Sequence, residues 1–414
     1  MRKFHLGILY IIPLVASFVV SCSKGSHDTG RPSEEGEDIP GYLTDYRLKC
    51  SPIGEIRENQ PVLMGCSLVD KDGKPYKGSL EGIKIVVTDA DGNEKVISDI
   101  TILPDQETWQ VSFQVPEDQA NSIVEIKSSV IVKGTPQTNV SAMCPIGFIL
   151  IPGSTVYKTS DFCLMKYEAK KADSGDKKKV RVNVSGALAS ASEGYIYVAA
   201  KEACETLGKG FHLITNAEWM TVAIDIAGNK NNWSGDEVGK GAINAGHSDN
   251  LPSIPIPNVS LDDDPCFATL NGRCNDKSHG DWSQKRTHSI SNGEIIWDFS
   301  GNEKEWVDAN IAKLDELPLP HGGDFSEINK IEATATSISV ADVHPLKRDF
   351  SWWEDSWNIN NGIGRYYVGS TTTMAITRGG DAFSGDGSGI FYFAAAPIDY
   401  SVPNVGFRCS YTRP

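Results

Sequence analysis

Short apolar runs that alternate with polar residues occupy the chain up to about residue 142 and then stop. Ile83 to Thr88, Trp109 to Val115 and Val124 to Val132 are rich in β-branched residues, and Trp109-Gln110-Val111-Ser112-Phe113-Gln114-Val115 alternates apolar with polar. A period of two puts successive side chains on opposite faces of a strand, so these runs predict half-buried strands. Turn residues separate them, at Lys71-Asp72-Gly73-Lys74 and Asp89-Ala90-Asp91-Gly92-Asn93. The stretch 43–142 therefore reads as an all-β, immunoglobulin-like sandwich acting as a spacer or stalk. The acidic turn at Asp89 lacks the glycine and the distal Glu of an EF-hand loop at their positions, and a plain hairpin is expected there.

From 143 to 414 the texture is different. Eight of the nine tryptophans follow residue 200, glycines are scattered, and long stretches have no clear period. Two short helices stand out. One covers roughly Val198 to Leu207 and is stopped by Gly208. The other follows Thr215-Asn216-Ala217-Glu218, a capping box, with Trp219, Val222, Ala223 and Ile226 at helical spacing. The fold class expected for the whole chain is α+β.

The first residues have the layout of a secretory signal: Arg2 and Lys3, then an apolar run from Ile8 to Val20 broken only by Pro13 and Ser17. A bilayer span needs about 20 apolar residues, and this run is shorter. Val19-Val20-Ser21-Cys22 resembles the lipobox of bacterial lipoproteins. Residues 1–21 are thus expected to be a signal peptide, Cys22 the site of lipidation, and 22–42 a polar tether too poor in apolar residues to build a core. The expected location is the bacterial cell envelope, lipid-anchored. Ser23 after the cysteine fits sorting to the outer membrane, where the chain could be surface-exposed. A formal charge of −15 and the lack of a basic stripe argue against nucleic acid as a partner. Apart from Cys22 there are eight cysteines, an even number that fits disulfides in an exported chain but allows 105 pairings.

Four segments carry a family resemblance. Phe211 to Trp219 (FHLITNAEW) and Trp297 to Val307 (WDFSGNEKEWV) are followed by Thr377-Arg378-Gly379-Gly380 and Gly406-Phe407-Arg408-Cys409. In this order they resemble the signatures of the formylglycine-generating enzyme, or sulfatase-modifying-factor, family. The resemblance covers 143–414 and implies a C-type-lectin-like fold with small twisted sheets, two helices and much ordered loop. It also implies a disulfide between Cys204 and Cys409. With those two assigned, Cys144 with Cys163 and Cys266 with Cys274 are the expected local pairs, and Cys50 with Cys66 would staple the β domain. In the enzymes the segment matching Asp298 to Glu305 binds calcium. The resemblance therefore implies a calcium site with side-chain oxygens from Asp298 and Glu305 and carbonyls from Gly301 and Glu303, hard ligands of the kind calcium prefers.

The family's enzymes hold copper with two thiolates between the third and fourth signatures. Here that interval, Asp381 to Val405, contains no cysteine, so neither copper nor formylglycine formation is expected. An iron-dependent branch uses clustered histidines. His247, His279 and His288 are instead scattered and are expected to be surface loop residues. The interval mixes Gly, Ser, Asp, Ala and aromatics, and it resembles the variable proteins of diversity-generating retroelements, which end in the same signatures. That likeness implies a non-catalytic module binding a protein or glycan at the cell surface. Asp381, Phe383, Ser384, Asp386, Ser388, Tyr392, Asp399 and Tyr400 are expected on one exposed patch. The alternatives are an enzyme of the superfamily with altered chemistry and a structural envelope lipoprotein.

Overall fold

In a computed structural model the described residues are 46–53, 62–70, 73–77, 80–89, 92–102, 110–115, 123–132, 137–141, 144–171, 180–181, 196–257, 264–309, 326–328, 340–368, 374–400 and 404–413. All belong to one compact unit, Pro40–Pro414. Cys22, the signal and the tether lie outside them, and among the described residues no helix is long and apolar enough to cross a membrane. Among the described residues the architecture is mostly β, with several sheets and two α-helices.

The N-terminal part holds two four-stranded antiparallel sheets. One has the order Arg47–Pro52, Val62–Val69, Gln110–Val115, Ile100–Ile102. The other has the order Glu94–Ile97, Leu80–Asp89, Ile123–Val132, Gln137–Ser141. The period-two pattern is what buries them. Val111 and Phe113 face inward while Ser112 and Gln114 do not, and Ile85, Val87, Ile126 and Val130 of the second sheet join them in one core. Cys50 and Cys66 stand opposite each other on neighbouring strands and are joined by a disulfide. The Asp89 turn is a hairpin closed by Gly92 N–H to Asp89 O, with Asn93 N–H bonded to the Asp89 carboxylate. Ile146, four residues beyond the expected boundary, still packs in this core. A Lys49–Glu294 ion pair at 2.7 Å and an Arg413–Glu125 pair at 3.6 Å tie the two parts of the unit together.

The C-terminal part is built on a six-stranded mixed sheet. Its order is Ser326–Glu327, Arg365–Val368, Gly389–Pro397, Met374–Gly379, Lys304–Val307, Val405–Phe407. A four-stranded sheet stands in the order Phe211–Leu213, Cys409–Tyr411, Phe162–Met165, Phe148–Ile151. The chain crosses from the first sheet to the second at Arg408. Helix α1 spans Tyr197–Glu205, two residues shorter at its C-terminus than expected, and Gly208 follows with φ +124°. Helix α2 spans Asn216–Gly228 behind the full capping box, in which Thr215 accepts from Glu218 N–H and Glu218 accepts from Thr215 N–H. Such a cap stabilises a helix start by about 1 kcal/mol. The aperiodic texture accompanies a core filled by large aromatics that come from a helix, short strands and loops alike. Trp219, Trp233, Trp297, Trp306 and Trp353 are fully buried, and Trp219 stacks on Phe299 at 3.9 Å while its indole N–H donates to Ile390 O.

Four disulfides join Cys50–Cys66, Cys144–Cys163, Cys204–Cys409 and Cys266–Cys274, the pairing expected above. The third ties α1 to the last strand across 205 residues.

Candidate functional site

The strand Met374–Gly379 ends in a register shift at Arg378/Gly379. Gly379 and Gly380 then turn the chain with φ +86° and +80°, and a Cβ on Gly380 would lie 2.7 Å from the Ser388 hydroxyl. The loop from Asp381 to Ser388 is thereby thrown off the end of the sheet before Gly389–Pro397 returns. Arg378 holds the base of this loop. Its guanidinium is fully buried and donates to Asn216 Oδ1 and to the carbonyls of Asp342 and Val343, and burial lowers its pKa to about 9.

Within the loop Asp381 is the organiser. Its Oδ1 accepts from Phe383 N–H at 3.1 Å and from the Ser384 hydroxyl at 2.7 Å. Its Oδ2 accepts from Asn404 Nδ2 and pairs with Lys304 Nζ at 2.8 Å. A pocket of about 300 Å³ opens here, lined by Lys304, Arg365, Asp381, Phe383, Ser384, Gly387, Tyr392 and Asn404. Pockets that hold small ligands usually range from about 300 to 1,000 Å³, so this one has room for a single ring-sized body. Phe383 is 52% exposed at the mouth. The neighbouring loop brings exposed Leu251 and Ile254 toward the same face, because Asn250 N–H bonds Ala382 O and Gly385 N–H bonds Ser248 O, both at 2.8 Å.

The eight residues expected on one exposed patch therefore divide. Asp381, Phe383, Ser384 and Tyr392 meet around the pocket. Asp386, Asp399 and Tyr400 are exposed but are not among its lining residues. Ser388 has to be withdrawn as a contact residue: it is fully buried, and its hydroxyl lies 2.8 Å from Gly379 O and 3.1 Å from Ala245 O, closing the loop from inside. Tyr392 and Asp381 also differ from the expectation. Tyr392 is 1% exposed, with its phenol pKa raised by burial, so it is a wall of the pocket rather than a surface anchor. Asp381 is 2% exposed and serves as scaffold. Sequence reasoning missed Lys304, Arg365 and Asn404. They come from three separate segments, and only the sheet order places those segments beside the loop.

The segment tied to calcium lies deeper. Asp298 and Glu305 are fully buried, each facing an arginine. Arg286 donates Nε and Nη2 to the Asp298 carboxylate at 2.8 and 2.5 Å. Arg408 does the same to Glu305 at 2.7 and 2.5 Å. Gly301 sits in a left-handed turn, with φ +77°. Glu303 N–H donates to Glu168, whose carboxyl pKa is raised by burial and then by Asp298, Glu303 and Glu305. As arranged, Asp298, Gly301, Glu303 and Glu305 do not fit a calcium ion, because guanidinium groups already occupy both carboxylates that a dication would need. Among the described residues no group of three or more His, Cys, Asp and Glu is placed to hold a metal.

Two of the three histidines are corrected as well. His247 and His288 are fully buried, bonded through Nε2 to Ile254 O and Asn244 O, and burial lowers both pKa values, that of His288 to about 3. His279 alone is a surface residue. No family model matches the chain, and no curated protein matches it.

Proposed function

We propose that the protein is a lipid-anchored recognition protein of the bacterial envelope. In this reading Cys22 carries the lipid, the two-sheet part is an immunoglobulin-like stalk, and the C-terminal part is a non-catalytic C-type-lectin-like module of sulfatase-modifying-factor type. Its ligand is a protein or glycan met at the cell surface, and the loop after Gly380 is the segment that retroelement diversification would vary. The observation that supports this reading most directly is the meeting of Asp381, Phe383, Ser384 and Tyr392 around one pocket with an exposed phenylalanine at its mouth. Aromatic anchors beside small polar residues are the composition of adaptable binding loops. The eight described cysteines are all paired as disulfides, so none of them is a thiolate available for chemistry.

The test is a glycan and peptide binding screen on the full chain, with every hit repeated on Phe383→Ala. Exposed anchors at binding sites typically carry about 1–2 kcal/mol, so hits should weaken roughly tenfold while the melting temperature stays put. Hits that all ignore Phe383→Ala would overturn the assignment of this loop. Labelled palmitate should enter the wild-type chain and not Cys22→Ala.

A further inference from the structure

The pocket has a polarity that the chain as a whole does not share. The protein is acidic, with a formal charge of −15, yet the pocket is lined by two cations and one anion. Lys304 is spent on Asp381 at 2.8 Å, and both side chains are largely buried. Arg365 is different. Its nearest acidic partner is Glu327, with Nε 3.9 Å from Oε1, beyond hydrogen-bond reach. The other oxygen of Glu327 accepts Ile359 N–H at 3.2 Å. Among the described residues the Arg365 guanidinium forms no hydrogen bond, although its stem is packed, with its Cδ 3.4 Å from where a Cβ on Gly387 would lie. A guanidinium held by its stem beside a cavity, with its donors unspent, is a receptor for an anion.

Resting on the recognition reading above, we infer that this pocket binds the carboxylate of a small organic monoacid, with Arg365 as the anion receptor and Phe383 as the apolar lip. The planar guanidinium fork matches a carboxylate in two parallel hydrogen bonds. Asp381 is neutralised by Lys304, but Glu327 stands 3.9 Å from Arg365, so a doubly charged group such as phosphate is repelled there twice as strongly as a monoanion. The volume of about 300 Å³ suits one ring or short chain, and exposed Phe383 offers such a body apolar contact. The acid can belong to an aromatic acid, a uronic sugar or a peptide C-terminus, which present the same group to Arg365.

The experiment is calorimetric titration of the full chain with three matched pairs: 4-methylbenzoate, methyl glucuronoside and N-acetylphenylalanine, each against its neutral primary amide. Inorganic phosphate is the anion control. At least one acid should bind tenfold or more tighter than its amide, which also identifies the source of the carboxylate. Arg365→Gln should abolish that preference and Arg365→Lys should keep part of it. The inference is overturned if amides bind as tightly as acids, if phosphate binds tighter than every acid, if the preference survives Arg365→Gln, or if no probe binds. Amides and acids that bind equally and are lost in Phe383→Ala would sink the carboxylate while leaving recognition intact. Should Arg365→Gln fail to fold, the acid-to-amide ratio on the wild-type chain still decides.

Discussion

Replacing Arg408 with Met tests how the C-terminal part is held together. Arg408 is fully buried at the crossing between the two sheets. It donates two hydrogen bonds to Glu305 and others to Met165 O at 3.1 Å, Trp297 O at 3.1 Å and Asp298 O at 3.2 Å. At an effective dielectric near 20, unit charges about 4 Å apart attract by about 4 kcal/mol. Removing one partner of a buried pair typically costs about 3–5 kcal/mol, because the other charge is left without compensation. That is a large share of the roughly 5–15 kcal/mol by which folded domains are stable. The loss should also depend on pH. Burial pushes the Glu305 carboxyl pKa up, Arg408 pulls it down and Asp298 pushes it up again. Without Arg408 the upward causes stand alone, so the folded variant keeps a proton that the unfolded chain releases above about pH 4.3. The folded state then binds more protons than the unfolded one, and stability falls as pH rises from that value. Urea unfolding followed by circular dichroism should show a larger deficit at pH 8 than at pH 5. The double variant Arg408→Met, Glu305→Leu should be more stable than Arg408→Met alone, since it removes the buried carboxyl left without its partner. A cost below about 1 kcal/mol, or a double variant no better than the single, would refute the reasoning.

Tyr392→Ala should cost about 3–5 kcal/mol of stability because the ring is buried, whereas Phe383→Ala at the exposed mouth should stay within about 0.5 kcal/mol; thermal melts of the two separate wall from lip. Removing the Cys204–Cys409 bridge by the double Ala variant should lower stability by up to about 5 kcal/mol, the chain-entropy limit for so long a loop, read as a drop in urea midpoint. Burial opposes the charge on His212, but its hydrogen bond to Glu218 outweighs that and raises its pKa, while the same contact lowers that of Glu218. The pair's contribution is therefore lost as pH rises through the folded pKa of His212, above about 6.5, and as pH falls through that of Glu218. Melts of His212→Ala should lack the alkaline loss. Millimolar calcium should leave the melting temperature of the wild-type chain unchanged, because Arg286 and Arg408 hold the carboxylates; a rise that Asp298→Ala abolishes would reverse that reading.

Local rules reached the elements whose cause is local. Strict alternation set the inward residues of Gln110–Val115, and Thr215 with Glu218 set the start of α2. The Cys204–Cys409 bridge and the loop after Gly380 were legible through the resemblance of four short signatures, and the three local bridges followed once those two cysteines were assigned. Other features were decided by tertiary structure alone. Asp298 and Glu305 look like metal ligands in the sequence, but the arginines that occupy them stand 12 and 103 residues away along the chain. His247 and His288 read as loop histidines because their immediate neighbours, Gly246 and Ser248, Thr287 and Ser289, are small or polar, and packing against other segments buries them. The pocket follows the same logic. A composition of glycine, serine, aspartate and aromatics marks a loop, but which of its side chains face outward depends on neighbours supplied by other strands. Lys304 and Arg365 become pocket residues only because Lys304–Val307 and Arg365–Val368 lie on either side of the strand pair that frames the loop. Period, caps and turns act over a few residues and are written in order along the chain; charge pairing and burial act through space, and only the fold brings their partners within reach.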